Sequence, residues 1–145
     1  MMDTMLRALR AGLPELGVTI PAGADETLCK FGYELIEQNK VMNLTAITEP
    51  EAVAKLHLLD CLTVLKCADL SGKRLIDVGC GAGFPGVPLK IGCPELELTL
   101  LDSLGKRMNW LEQTLPKLGV EAQYITARAE EAVADRRESY DFATS

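Results

Sequence analysis

The stretch "RLIDVGCGAGFPGVPL", residues 74–89, runs a short apolar segment straight into glycines and prolines. Its glycines can be read in two frames: G-x-G-x-G from Gly79, or G-x-G-x-x-G from Gly81, the spacing of dinucleotide-binding loops. In a strand–loop–helix nucleotide site the first glycine stands where the strand ends, because the chain must turn sharply there. The strand is "RLIDV", residues 74–78, so Gly79 takes that place and Asp77 lies two residues before it. A pyrophosphate loop presents backbone N–H groups at a helix N-terminus and gains from keeping acids away. A carboxylate at the strand end suits a ligand with a cationic amino group instead. A second acid, Asp102, closes the next strand and stands where it can accept hydrogen bonds from a ribose diol. Ribose, cationic amino acid and tight glycine turn together describe S-adenosylmethionine, with Gly79 and Gly81 leaving room for the backbone to approach it.

The elements that must hold these residues follow from the hydrophobic period. Residues 1–70 read as helix. "DTMLRALRAGL" is a short amphipathic piece expected to end at Gly12 and Pro14, and "ADETLCKFGYELIEQN" puts Leu28, Phe31, Leu35 and Ile36 on one face. In "TEPEAVAKLHLLDCLTVLKCADL", Thr48 and Glu51 have the spacing of a capping box, with Pro50 in the first turn. After Gly72 the period changes. "RLIDV" (74–78), "LELTLLD" (96–102), "AQYITA" (122–127) and "YDFATS" (140–145) read as strands, separated by "FPGVPLKIG", "SLGKRMNWLEQTLPKLG" and "RAEEAVADRRE". Strands alternating with helices predict a parallel, doubly wound α/β sheet with right-handed crossovers. The expected organisation is a helical N-terminal extension over 1–70 and the first half of a cofactor-binding Rossmann-like α/β domain over 71–145. The fourth strand arrives with nothing after it to cover the sheet, so a C-terminally truncated piece of a longer protein is expected.

Composition narrows the class. With 48% hydrophobic residues in 145, the chain can bury one sizeable core. No run approaches the roughly 20 apolar residues of a membrane helix, and "MMDTMLRALR" lacks the apolar core of a signal peptide. Five cysteines, Cys29, Cys61, Cys67, Cys80 and Cys93, form no C-x-x-C pair, which argues against a disulfide framework or a zinc site; no metal is expected. A soluble protein of the cytoplasm, with buried and inert cysteines, is the expectation. The net charge of −6 speaks against a chain wrapped in nucleic acid but leaves room for a local basic patch.

The segments "NLTAI" (43–47), "HLLDCL" (57–62), "LIDVGCGAGFPGVPL" (75–89), "LLDSLGKRMNWL" (100–111) and "ARAEE" (127–131) carry a resemblance. In order and spacing the chain resembles the bacterial small-subunit ribosomal RNA guanine-N7 methyltransferases, also called the glucose-inhibited division protein B family, over about residues 25–145. The resemblance implies an S-adenosylmethionine pocket lined by Gly79, Phe84, Asp102, Ala129 and Glu130, and a ribosomal RNA substrate, free or in a partly assembled ribonucleoprotein. Members of the family are longer, and in them the last of these strands is followed by an arginine that contacts the cofactor. This chain stops one residue short of that position. Guanine N7 offers an exposed lone pair and no proton need leave when it is methylated, so no residue is assigned as catalytic acid, base or nucleophile.

Each of these residues read alone has a plainer account: a turn glycine, a core phenylalanine, a first-turn acid for Glu130. The substrate side rests on Asn43, His57 and Arg128. His57, the one histidine, has Asp60 three residues on, on the same face of a regular helix. The pair either orients the guanine or is a core histidine with its carboxylate. Arg128 adjoins the cofactor edge and can hold phosphate or stack on a base. Lys73, Arg74, Lys106, Arg107 and Lys117 are candidates for a basic patch. Two other functions fit the same fold: a methyltransferase acting on a small molecule or protein, and a non-catalytic module that binds NAD.

Overall fold

A computed structural model describes residues 2–131 and 139–144. Most of the helix expected over 128–138 lies outside the described residues, which include its first turn at 129–131. The chain opens with α1 (Met2–Leu16) and α2 (Ala24–Asn39). It continues through α3 (Pro50–Val53), a π-helical stretch (Ala54–Leu59), α4 (Asp60–Leu62) and α5 (Val64–Cys67). The α/β part follows: β1 (Arg74–Val78), α6 (Gly86–Gly92), β2 (Glu97–Asp102), α7 (Gly105–Thr114) with a 3₁₀ turn (Leu115–Leu118), β3 (Gln123–Thr126) and β4 (Phe142–Thr144).

All strand pairs are parallel, in the order β3-β2-β1-β4. The first two crossovers step outward from β1, and the connection to β4 returns to its other side. The strand order therefore reverses at β1, which is where open α/β sheets bind ligands beyond the carboxyl ends of the strands. Side-chain alternation sorts the sheet into two faces. Leu75, Leu98 and Leu100 join one core with Met5 and Leu9 of α1, Phe31 and Leu35 of α2, and Leu111 of α7. Ile76 and Leu101 face the other way, with Val78, Ile125 and Tyr140. Phe31 is fully buried at the centre of the helical layer, and truncating it to alanine would cost about 3–5 kcal/mol.

The second helix and the first strand have the bounds their sequence predicts. The first helix does not end at Gly12 and Pro14. It runs to Leu16, and the terminator is Gly17, left-handed at φ 72°. The Gly17 N–H bonds the Pro14 carbonyl at 3.0 Å and the Val18 N–H bonds that of Leu13 at 3.1 Å, a Schellman closure. Gly12 has a different use: the Leu59 side chain packs where its β-carbon would stand. The capping box is also not made. Glu49 is the N-cap and no side chain caps that end; Glu51 instead reaches Lys55 at 2.8 Å. Pro50 does hold the first helical position.

A candidate cofactor cleft at the carboxyl edge of the sheet

β1 ends at Val78, so Gly79 is the first residue of the turn. Gly79, Gly81 and Gly83 all take positive φ, at 68°, 56° and 102°, which a residue with a β-carbon reaches only at a cost. The loop they form is tied inward. The N–H groups of Gly79 and Cys80 both reach the Leu101 carbonyl, at 2.8 and 3.0 Å, and those of Gly83 and Phe84 reach the Cys80 carbonyl, at 2.8 and 3.3 Å. The Gly81 N–H donates to Asp102 Oδ2 at 2.8 Å. A loop whose donors are spent this way cannot cradle a pyrophosphate as a dinucleotide loop does.

Asp102 closes β2 and is only 3% exposed. Besides Gly81 it accepts the Leu104 N–H on Oδ1 at 2.9 Å, and a weaker contact from Arg107 Nη2 at 3.3 Å. Beyond it opens a cleft of about 440 Å³ lined by Val78, Gly79, Leu101, Asp102, Ser103, Arg107, Ala127, Arg128, Ala129 and Glu130. Five residues of the expected cofactor and substrate sets meet there: Gly79, Asp102, Ala129 and Glu130 from the first, and Arg128 from the second. Gly81 sits behind, on Asp102. A larger groove of about 720 Å³ runs between α1 and the π-helical stretch. It is away from the strand ends, and two of its charged groups, Glu51 and Lys55, neutralise one another.

Phe84 is not among the residues lining the cleft. Its ring stacks on His57 at 4.5 Å with the planes 6° apart, and meets Phe31 edge-on at 5.8 Å. His57 is half-buried, and burial holds its pKa below the ordinary value, against an opposing effect of Asp60. The expected His57–Asp60 pair is not made: Asp60 is exposed, and the His57 Nε2 partner is the Thr45 hydroxyl at 2.8 Å. His57 lies in the π-helical stretch, where wider i→i+5 turns take residues three apart off a common face. Asn43 is exposed, on a loop fixed by its neighbours. The Leu44 and Thr45 N–H groups donate to Asn39 Oδ1 at 2.7 and 2.9 Å, and Ile47 N–H donates to Thr45 Oγ1 at 3.1 Å.

Three further expectations change. Asp77 does not present its carboxylate to the cleft: it is fully buried, and Oδ2 accepts the Gly86 N–H at 2.9 Å, so it braces α6 against the sheet. The basic residues do not form one patch. Lys106 and Arg107 stand in the first turn of α7, and of the two only Arg107 lines the cleft, whereas Lys73 and Arg74 stand at the start of β1, at the opposite edge, and Lys117 lies past the far end of α7. All five cysteines are free, but not all are buried: Cys67 is exposed and Cys93 is partly so. Burial pushes the Cys61 and Cys80 thiols up to about 12, which suits packing rather than nucleophilic attack.

Sequence reasoning missed Arg107 as a cleft residue, and Asn39 and Thr45 as the supports of His57. For Arg107 a signal existed, since it falls in the first turn of the helix that follows the strand-end acid. Among the described residues no group of histidine, cysteine and acid side chains could hold a metal ion, and no helix is long and apolar enough to cross a membrane.

Residues 24–145 match the family model GidB, rRNA small subunit methyltransferase G. The chain is 44% identical over 141 residues to the "Ribosomal RNA small subunit methyltransferase G" of Alkaliphilus metalliredigens (strain QYMF), covering 94% of this chain and 59% of that protein. It is also 44% identical to the protein of the same name from Caldanaerobacter subterraneus subsp. tengcongensis, covering 100% of this chain and 62% of the relative. A third of that name, from Desulfitobacterium hafniense (strain Y51), is 42% identical over 90% of this chain and 55% of its own length. The chain thus spans between 55% and 62% of the length of these relatives.

Proposed function

The chain belongs to the GidB family of rRNA small subunit methyltransferase G proteins, and from that premise we propose that it forms the S-adenosylmethionine-binding part of an enzyme that methylates guanine N7 in small-subunit ribosomal RNA. The observation that carries the cofactor is the pairing of a glycine loop bonded inward with a strand-end acid at an open cleft. Such a loop suits a nucleoside without phosphates, and Asp102 keeps acceptor capacity for a ribose diol, since a carboxylate has about four lone-pair sites. Ala129 and Glu130 follow β3 on the adenine side of such a ribose, and Gly79 and Gly81 leave the amino-acid side open.

When bound, S-adenosylmethionine supplies a methyl group on a positively charged sulfur. Guanine N7 needs no deprotonation to take it. The residues of this chain would then act by positioning and by excluding water, with no general base. In this reading residues 71–145 hold the cofactor, and residues 1–70 carry the acceptor side through Asn43 and His57. The His57 ring already rests on Phe84 of the glycine loop. Arg128 is suited to RNA phosphate or to stacking on a base. The partner would be small-subunit ribosomal RNA, bare or in an assembling particle, and the compartment the reducing cytoplasm, in keeping with five free cysteines.

Calorimetric titration of the chain with S-adenosylhomocysteine and with NAD tests the cofactor. S-adenosylhomocysteine should bind, NAD should not, and Asp102→Ala should weaken the former by about 1–3 kcal/mol, the worth of charged hydrogen bonds to the ribose. Preferential binding of NAD would overturn the reading in favour of a dinucleotide module. The substrate is tested in the longer protein, by mapping methyl transfer on ribosomal RNA with a cleavage chemistry selective for N7-methylguanine.

A further inference from the structure

We infer that Arg107 receives the carboxylate of the methionine portion of the cofactor, an inference that rests on the cofactor proposed above. The glycine loop leaves that carboxylate little to bind. The N–H groups of Gly79, Cys80, Gly83 and Phe84 are bonded to backbone carbonyls, that of Gly81 to Asp102 and that of Gly86 to Asp77. A carboxylate that enters beside the loop is then best met by a side-chain cation.

Arg107 is that cation. It lines the cleft, its side chain is 32% exposed, and Nη1 lies 3.9 Å from the point where a β-carbon on Gly81 would stand. Its guanidinium carries five N–H donors. The bond it makes runs from Nη2 to Asp102 at 3.3 Å, long against the roughly 2.7–2.9 Å of a charge-assisted bond. Its Nε is buried and has no acceptor. Asp102 has little need of it, because two backbone N–H groups already serve that carboxylate at 2.8 and 2.9 Å. The guanidinium is therefore loosely held beside the loop, with donors unmet, and its planar fork matches a carboxylate. Arg128, the other cation of the cleft, follows β3, which is separated from the glycine loop by β2.

A structural role for Arg107, acting only by steadying Asp102, makes a different prediction, and two ligands separate them. S-adenosylhomocysteine carries the carboxylate; 5′-methylthioadenosine has the same nucleoside and thioether without the amino-acid group. Titration calorimetry on the 145-residue chain should show Arg107→Ala weakening S-adenosylhomocysteine by roughly 10- to 100-fold, the scale of lost charged hydrogen bonds, while 5′-methylthioadenosine changes by no more than about twofold. Arg107→Lys should recover part of the loss, as a point charge without the fork. Equal weakening of both ligands would overturn the inference in favour of support for Asp102, and unchanged S-adenosylhomocysteine affinity would overturn it outright. If the alanine variant melts early, Arg107→Gln carries the same comparison. A wild-type chain that binds neither ligand would sink the cofactor reading itself, an outcome distinct from a folded chain that binds both and ignores Arg107.

Discussion

Replacing Asp77 with asparagine should stabilise this protein and flatten its pH dependence. The Asp77 side chain is fully buried on β1 beneath the start of α6. Oδ2 accepts one hydrogen bond, from the Gly86 N–H, and Oδ1 has no partner of good geometry. Burial raises its pKa from 3.8 to about 7, helped by the charge of Asp102; the Gly86 bond and the nearby Thr144 hydroxyl only partly oppose this. Between these two values the folded chain keeps a proton that the unfolded chain has lost. Stability is therefore fullest below the ordinary carboxylate range, declines as pH rises toward 7, and stays low above it. Some three pH units at about 1.4 kcal/mol each give an upper scale of about 4 kcal/mol. Asparagine keeps the shape, still accepts from Gly86, and offers its amide N–H to Thr144 without any charge to bury. Urea unfolding of both proteins at pH 5 and pH 8 reads the effect, since other titrating groups are common to the pair. The wild type should lose more stability than Asp77→Asn between those pH values, by up to about 2.7 kcal/mol for the two pH units from 5 to 7, at unchanged m-value. Parallel stabilities, or an asparagine variant that is weaker at pH 8, would mean that the carboxylate is ionised and well served in the fold.

Gly79→Val should leave the chain folded and abolish S-adenosylhomocysteine binding. Its φ of 68° makes a β-carbon cost about 1–2 kcal/mol, but nothing lies within 4 Å of where that carbon would go, so the side chain enters the cleft; normal binding by a variant with native circular dichroism would refute this. Thr45→Val removes the hydroxyl that holds His57 and the Ile47 N–H. It should cost about 1 kcal/mol and shift the ¹⁵N resonances of the His57 ring, with Thr45→Ser restoring both; identical spectra for the valine variant would refute the contact. Gly12→Ala drives a methyl group into Leu59 and should lower stability by about 1–3 kcal/mol, which a thermal melt with no change would contradict.

What the sequence made legible here are the features set by local period and by the chain's own turns. α2 could be read to the residue because its apolar face repeats cleanly and Gly23 precedes it with left-handed φ. β1 could be read because Gly79 stops it. The family resemblance implied a pocket of Gly79, Phe84, Asp102, Ala129 and Glu130, at the carboxyl edge where open sheets bind ligands; the cleft gathers four of these and leaves Phe84 out. Side-chain direction was not legible. Asp77 and Asp102 both lie near strand ends, yet one is turned under α6 and the other reaches the cleft, a difference set by how closely α6 approaches. A β-carbon on Gly86 would stand 2.9 Å from Asp77 Oδ2. The π-helical stretch was equally hidden, since its residues have ordinary helical composition, and it moved Asp60 away from His57. Gly12 read as a terminator because a glycine kept small for a neighbouring leucine looks the same in one dimension.

The contacts of β2 explain why the cleft can exist before any ligand arrives. Its last two residues, Leu101 and Asp102, hold the Gly79, Cys80 and Gly81 N–H groups through one carbonyl and one carboxylate, and Asp102 also fixes the start of α7 through the Leu104 N–H. Loop, strand and helix are thus locked together by bonds that a ligand neither makes nor breaks. Such a loop needs little ordering on binding, so less affinity is lost to conformational entropy. In the proposed reading the same economy leaves recognition to side chains: Asp102 toward a diol, Glu130 and Ala129 beside it, Arg107 toward a carboxylate. In that reading Asp102 serves two purposes at once. Asp102→Asn, which keeps an acceptor for Gly81 but removes the charge, should lose less stability than Asp102→Ala. The two should differ less in ligand affinity than in stability if the ribose is held mainly by the charge. A variant pair in which stability and affinity fall in strict proportion would instead make Asp102 a structural brace whose effect on binding is indirect.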